Sequence, residues 1–207
     1  MADTRNQRFW NRIAQRYAAR PLKNVAAYEA MLADAAARLS PQDRVLEIGC
    51  GTGGTAIHLA GFVSEFVATD FSTEMVAIAK AKPAGDTLRF VVADAAQALA
   101  DGPFDAICAF NVLHLVDDLP DTLSRIHQAL VPGGQLISKT WCFADLNPGM
   151  RILFALLRTV GLFPRVTMLT ETGLHQALRA AGFEIVDQRQ FGTYPQNPYI
   201  VARKPAA

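Results

Sequence analysis

A single carboxylate beside a run of glycines marks the stretch most able to do chemistry, Arg44-Val-Leu-Glu-Ile-Gly-Cys-Gly-Thr-Gly-Gly-Thr55. Val45, Leu46 and Ile48 read as the end of a buried strand. Gly49, Gly51 and Gly53 read as a glycine loop, and Thr52 to Ala60 has the composition of a helix start. A strand, a tight turn and a helix bring bare backbone and N–H groups against a ligand. Glu47 narrows the choice of ligand, because it stands where a dinucleotide fold receives a pyrophosphate. A fixed negative charge there disfavours a doubly negative ligand and favours a cationic one.

S-adenosylmethionine, with its sulfonium and ammonium groups, answers that requirement, so the loop points to methyl transfer rather than hydride transfer. Downstream, Phe66-Val-Ala-Thr-Asp70 is a strand ending in an acid, 21 positions after Gly49. A carboxylate there can accept from both ribose hydroxyls; it can also cap the helix beginning near Ser72. Leu88 to Ala95 again ends in an acid. Asp94 can accept from an adenine amino group while the Ala95 N–H donates to a ring nitrogen, or Asp94 is a surface turn residue. Phe71 and Met75 stand where they can flank the adenine ring, or pack in the core. Gly49, Cys50 and Gly51 supply the loop backbone to the same ligand.

The strand Phe104 to Phe110 opens into Asn111-Val-Leu-His-Leu-Val-Asp-Asp118. At the carboxyl edge of a parallel sheet this loop lies beside the reacting group. Asn111 can present its amide or its carbonyl to cofactor or acceptor. His114 is the candidate base for an acceptor hydroxyl, since imidazole titrates near neutrality; the alternative is a packed histidine bonded to a carbonyl. His58, His127 and His175 fall within helical patterns. No spacing of His, Cys, Asp or Glu calls for a metal, and Cys50, Cys108 and Cys142 read as reduced, buried thiols of a cytoplasmic protein.

The elements that hold these residues follow from hydrophobic period and turn chemistry. Helical patterns at 5–20 and 24–39 come first. Strands are expected at 44–48, 65–70, 88–93, 104–110, 134–141, 183–191 and 198–203, and helices at 53–61, 73–81, 119–130, 149–161 and 171–181. The alternation calls for a parallel sheet covered on both faces. Six residues, Gly192 to Asn197, separate the last two strands, too few for a crossover, so they form a hairpin. The 207 residues, 51% hydrophobic and 19% charged with a net charge of +1, suit one domain. No apolar run is long enough to cross a bilayer.

Together these pieces resemble the class I S-adenosylmethionine-dependent methyltransferases, most closely the small-molecule branch with the ubiquinone/menaquinone-type enzymes. The matching motifs are Val45 to Gly53, Ala68-Thr-Asp-Phe-Ser72, Val92-Ala-Asp-Ala95, Phe104-Asp-Ala with Asn111-Val-Leu-His114, and Leu130-Val-Pro-Gly-Gly-Gln-Leu136. The resemblance implies an α/β fold: a doubly wound, Rossmann-like, seven-stranded sheet, mostly parallel. Its one antiparallel C-terminal strand is inserted between the fifth and sixth. It implies that Glu47 and Gly49 border the methionine portion, Asp70 the ribose, and Asp94 with Ala95 the adenine. Tyr17, in Ile13-Ala-Gln-Arg-Tyr17, belongs to an N-terminal helix that closes over the cofactor. The chain then divides into a helical cap (1–40), a cofactor core (43–140), an acceptor-side insertion (141–170) and a C-terminal helix with hairpin (171–207).

Methyl transfer is an in-line displacement on an activated carbon, so alignment and exclusion of water suffice unless the nucleophile is weak. Trp141, Phe143, Met150, Leu153, Phe154, Leu157 and Phe163 make the insertion apolar. An apolar or aromatic small-molecule acceptor follows, unless that helix packs on the sheet or on a second subunit of a homodimer. Arg5, Arg8, Arg12, Arg16 and Arg20 form a basic stripe on the first helix. It is the solvated outer face of a cofactor lid or a peripheral contact with an anionic membrane; no nucleic-acid-reading module accompanies it. Two other functions stay open, a non-catalytic domain that binds S-adenosylmethionine and an NAD-dependent oxidoreductase.

Overall fold

A computed structural model describes residues 4–206. Seven strands form one sheet: β1 (Arg44–Ile48), β2 (Glu65–Asp70), β3 (Leu88–Val92), β4 (Phe104–Phe110), β5 (Leu130–Lys139), β6 (Glu184–Arg189) and β7 (Tyr199–Arg203). Their order is β3-β2-β1-β4-β5-β7-β6. The first five are parallel, and β7 runs antiparallel to both β5 and β6. The chain reverses its winding between β1 and β4, which places a crevice at the carboxyl ends of those two strands.

Side chains of β1 alternate between the two faces, as the pleat requires. Leu46 and Ile48 join a core with Ile107, Leu123, Ile126 and Leu178. It is covered by α5 (Ala95–Leu99), α6 (Leu119–Ala129) and α8 (Glu171–Ala180). Val45 joins the opposite core with Met31, Leu59, Phe66, Val76 and Cys108, under α2 (Val25–Ala36), α3 (Gly54–Leu59) and α4 (Thr73–Lys80). Glu47 shares Val45's side of the strand, in register with Ala68 and Cys108. The carboxylate therefore starts from a face that is otherwise apolar.

Two departures from the sequence expectations bear on the site. The strand expected from 134 begins at Leu130, because a register shift between Phe104 and Ala106 absorbs the Pro132-Gly133-Gly134 turn within β5. The short helix α5 was not expected. Asp94 caps it through a reciprocal box, its carboxylate accepting from Gln97 N while the Gln97 side chain accepts from Asp94 N.

The first helix, α1 (Thr4–Ala18), is clamped across the sheet edge rather than lying free. On one side Gln7 donates to the Phe71 carbonyl (2.7 Å), and the Asn11 amide oxygen accepts from Ser72 Oγ (2.6 Å) and Glu74 N (3.4 Å). On the other side the buried Asn6 exchanges two bonds with the Arg165 backbone. Helix α7 (Pro148–Thr159) differs from every expectation of a packed helix, since none of its residues is buried. Ile152 and Leu156 are 62% and 60% exposed. Among the described residues no helix is long and apolar enough to cross a membrane, and all three cysteines are buried and unpaired.

Candidate active site

The carboxyl edge of β1 and β2 is built around one bridge. Asp70, the last residue of β2, accepts from Gly51 N through one oxygen (2.9 Å) and from Ser72 N through the other (2.8 Å). The glycine loop is thereby tied to the following helix, while Ser72 itself takes the cap, accepting from Met75 N. Each carboxylate oxygen keeps a lone pair beyond these bonds. Burial raises the Asp70 pKa, and the Ser72 and Gly51 N–H bonds oppose the rise.

Glu47 is 2% exposed, and its Oε2 is buried with no hydrogen-bond partner. Burial, reinforced by the Asp70 charge, pushes its carboxyl up to about 8. An orphaned acid in an apolar setting costs free energy unless a cation or donor reaches it. Two phenols stand within electrostatic reach of these acids, Tyr17 of Asp70 and Tyr28 of Glu47. Tyr17, partly exposed, is raised by desolvation and then by Asp70. Tyr28 hydrogen-bonds Thr55 (3.1 Å) and is raised by desolvation, with Glu47 contributing. The donor set suits a ligand whose cationic end enters beside Glu47.

A cavity of about 200 Å³ adjoins this edge, lined by Gly49, Phe71, Asp94, Ala95 and Val112, with Asn6 closing it from α1. Gly49 (φ 69°) and Gly51 (φ 53°) are both left-handed, but their surroundings differ. A Cβ on Gly49 would lie 2.5 Å from a Val112 methyl, whereas one on Gly51 would meet nothing within 4 Å. The first glycine is needed for packing and the second leaves an open cradle. Gly49→Ala is expected to destabilise the fold by about 3 kcal/mol, from the left-handed backbone plus overpacking. Thermal denaturation checks this, and an unchanged melting temperature would refute the packing argument.

The structure therefore brings Gly49, Phe71, Asp94 and Ala95 to one cavity, and Glu47, Gly51, Asp70 and Tyr17 to its neighbouring edge. Other candidates lie elsewhere. The Cys50 side chain packs into the core, so it offers the edge its backbone. Met75 is buried on the inner side of α4. Asn111 is exposed with φ 56°, a left-handed backbone rare outside glycine, and its amide oxygen accepts from Asn197 (3.2 Å). His114 is 5% exposed, packed edge-on against Phe143 at 5.3 Å, and burial lowers its pKa to about 4.

Asn6, Gln7 and Asn11 escaped the sequence reading. Short amides among arginines were the available signal, yet their partners lie 61 to 159 residues away in the chain. Arg5, Arg8, Arg12, Arg16 and Arg20 are all exposed. Arg5, Arg8 and Arg12 also line a cleft together with Arg158 and Arg165, a juxtaposition that the stripe alone did not indicate.

A family model described as a methyltransferase domain matches residues 9–188. The chain is 33% identical over 172 residues to a non-reducing polyketide synthase of Aspergillus terreus, covering 75% of this chain and 6% of that protein. It is 33% identical over 124 residues to an uncharacterized methyltransferase of Mycobacterium tuberculosis, covering 59% of this chain and 62% of the relative. The chain thus spans only a small part of the synthase and under two thirds of the mycobacterial protein. Among solved structures, the DhpI–SAH complex superposes with a TM-score of 0.76 at 22% identity, over 97% of this chain and 96% of that one. This last likeness shows the shared fold.

Proposed function

Because the chain belongs to the methyltransferase-domain family of S-adenosylmethionine-dependent enzymes, we propose that its carboxyl edge holds the cofactor through Glu47, Asp70 and Asp94. The observation that carries this reading is the unpartnered, buried Glu47 oxygen beside an open glycine cradle. Glu47 balances the cationic methionine end, with Tyr17 beside it on α1. Asp70 accepts from the ribose hydroxyls while still bridging Gly51 and Ser72. Asp94 and the Ala95 N–H receive the adenine, with Phe71 against the ring. Cys50 contributes its backbone and Met75 supports the wall from behind. When bound, S-adenosylmethionine supplies a methyl group already activated by its positively charged sulfur.

The remaining work is alignment and exclusion of water, which the protein does with packing. Phe143, Phe154 and Phe163 form a ring cluster with centroids 4.5 to 5.6 Å apart. They line a groove of about 470 Å³ with Ile152 and Met168. An apolar or aromatic small-molecule acceptor fits that groove, and the wholly unburied α7 speaks against the alternative that this helix packs on the sheet. A base whose conjugate acid lies near 4 removes a proton poorly at neutral pH. His114 and Asn111 therefore shape the acceptor side in this reading rather than driving proton transfer. Segments 1–40, 43–140 and 141–170 serve as cap, cofactor core and acceptor wall. The NAD-dependent alternative draws no support from the family match.

Calorimetric titration with S-adenosylhomocysteine, with NAD as control ligand, tests the reading. Micromolar binding of the first and none of the second is expected. A folded sample that ignores S-adenosylhomocysteine overturns the cofactor site.

A further inference from the structure

Helix α7 presents an apolar row that the described residues leave uncovered. Phe154 and Leu157 are half-buried on the side of the aromatic cluster. Ile152 and Leu156, one turn apart, face solvent instead, and Val160 and Leu162 carry the exposed stretch past the helix end at 66% and 63% exposure. A helix apolar on both sides is ordinarily covered on both. Single exposed apolar side chains are common, but a row at helical spacing marks an interaction surface.

The same surface carries bases and no acids. Arg151 and Arg158, seven residues apart and so on one side of α7, flank the row and are exposed. Helix α1 adjoins the end of α7, where Arg12 donates to the Gly161 carbonyl and the Asn6 amide exchanges two bonds with the Arg165 backbone. Arg5, Arg8 and Arg165 are already engaged within the chain. The exposed charge that counts is that of Arg16, Arg20 and Lys23 beside Arg151 and Arg158.

None of the chain's 19 acidic residues falls within 4–28 or 146–170. The rest of the chain holds 11 of the 20 basic residues and all 19 acids, a net of −8. The sign changes across Asn6, which also lines the cofactor-side cavity beside Asp117, Asp118 and Asp121. An anionic surface therefore attracts this corner, repels the remainder and fixes one orientation. A second copy of the chain docked through α7 would set Arg151 and Arg158 against like charges. A nucleic acid would leave the apolar row uncovered. An anionic bilayer satisfies both features.

We propose that α7 docks in the interface of an anionic lipid bilayer. The row from 152 to 160 enters the acyl boundary, and the flanking arginines and the end of α1 meet the headgroup phosphates. The docking needs no part of the acceptor reading above. Where both hold, Ile152 stands in the docked row and on the wall of the aromatic groove, so an apolar acceptor enters from the bilayer; that last step alone rests on the acceptor reading.

Co-sedimentation of the full chain with two kinds of vesicle tests the docking, phosphatidylcholine alone and phosphatidylcholine mixed with phosphatidylglycerol. The mixed vesicles are expected to bind about tenfold more tightly, an advantage that shrinks as salt rises. Leu156→Ser/Val160→Ser should weaken that binding by about tenfold. Arg151→Gln/Arg158→Gln should do so by a similar factor, and Arg151→Lys/Arg158→Lys should retain most of it. All three variants should melt as the native chain does, since none of the four side chains is buried. Equal binding of the native chain to both vesicles, or binding to neither, overturns the proposal. So does native-like binding by Leu156→Ser/Val160→Ser. A dimer in sedimentation velocity that this variant dissociates, without vesicle binding, also overturns it and makes the row a contact between copies. Vesicle binding by a chain that ignores S-adenosylhomocysteine supports the docking and removes the cofactor site alone.

Discussion

Glu47→Gln will make the ligand-free chain more stable above neutral pH and a poorer binder of S-adenosylmethionine. The side chain is buried with its Oε2 unpartnered, and its carboxyl is raised from 4.5 to about 8 by desolvation first and Asp70 second. A carboxyl raised in this way keeps its proton longer in the fold than in the unfolded chain. The stability it contributes is therefore full below its unfolded pKa and is lost as pH climbs through the folded one, between 4.5 and about 8. Glutamine removes that loss, so the melting temperatures of variant and native chain should diverge as pH rises across this window, by several degrees at its top.

Binding carries the opposite sign. The cationic methionine end requires the ionised carboxyl, so the native chain releases a proton on binding and its affinity rises from pH 6 toward 8. In the glutamine variant affinity is flat over that range and lower by roughly 30-fold, the scale of one charge-assisted contact in a buried site. Calorimetry in two buffers of different ionisation enthalpy reads the proton directly. Native-like affinity in Glu47→Gln, or a melting curve with the same pH dependence as the native chain, would show that this acid is only a tolerated packing defect.

Asp70→Ala is expected to cost both stability and cofactor binding. It removes the acceptor for Gly51 N and for Ser72 N, two backbone donors held at 2.9 and 2.8 Å. Losing such bonds destabilises by about 3 kcal/mol in total. Binding of S-adenosylhomocysteine should fall by about 100-fold or more, since ribose contacts and loop geometry fail together. Amide hydrogen exchange separates the two. Faster exchange confined to Gly51 and Ser72 reports the loosened loop, and Asp70→Asn, which keeps one acceptor oxygen, should restore part of that protection while still binding poorly. Affinity within threefold of the native chain in Asp70→Ala would refute the ribose role. Because Asp70 also holds the Glu47 carboxyl up, its removal should move the pH window of Glu47 downward.

The sheet was legible because its signals are local. β1, β2 and β4 have the bounds expected from their apolar runs, and the two terminal strands form the expected hairpin. β5 was misjudged at its start because Pro132 and two glycines read as punctuation, while the sheet accommodates them in an irregular register. α5 was missed because five residues give no helical period; only the Asp94–Gln97 cap marks it. Of the site, the acids at strand ends were visible as types and spacings. What joins them was not. The orphaned oxygen of Glu47, the double bridge of Asp70 and the amide clamp of α1 depend on contacts distant in the chain. The arginine stripe was visible as a stripe, but its facing partners Arg158 and Arg165 come from a segment whose proximity only folding reveals.

The placement of β7 between β5 and β6 has a consequence for biogenesis. Tyr199–Arg203 gives backbone partners to Gln135–Lys139 on one side and to Glu184–Arg189 on the other. During translation β6 leaves the ribosome before the strand that must carry it, and the outer edge of β5 waits through some sixty further residues. A nascent chain stalled before Tyr199 therefore exposes unpaired edges of two strands at once, the form in which chaperone capture and edge-to-edge association are favoured. The last strand to emerge acts as a latch, and protease resistance of arrested chains should appear in one step when it clears the exit tunnel.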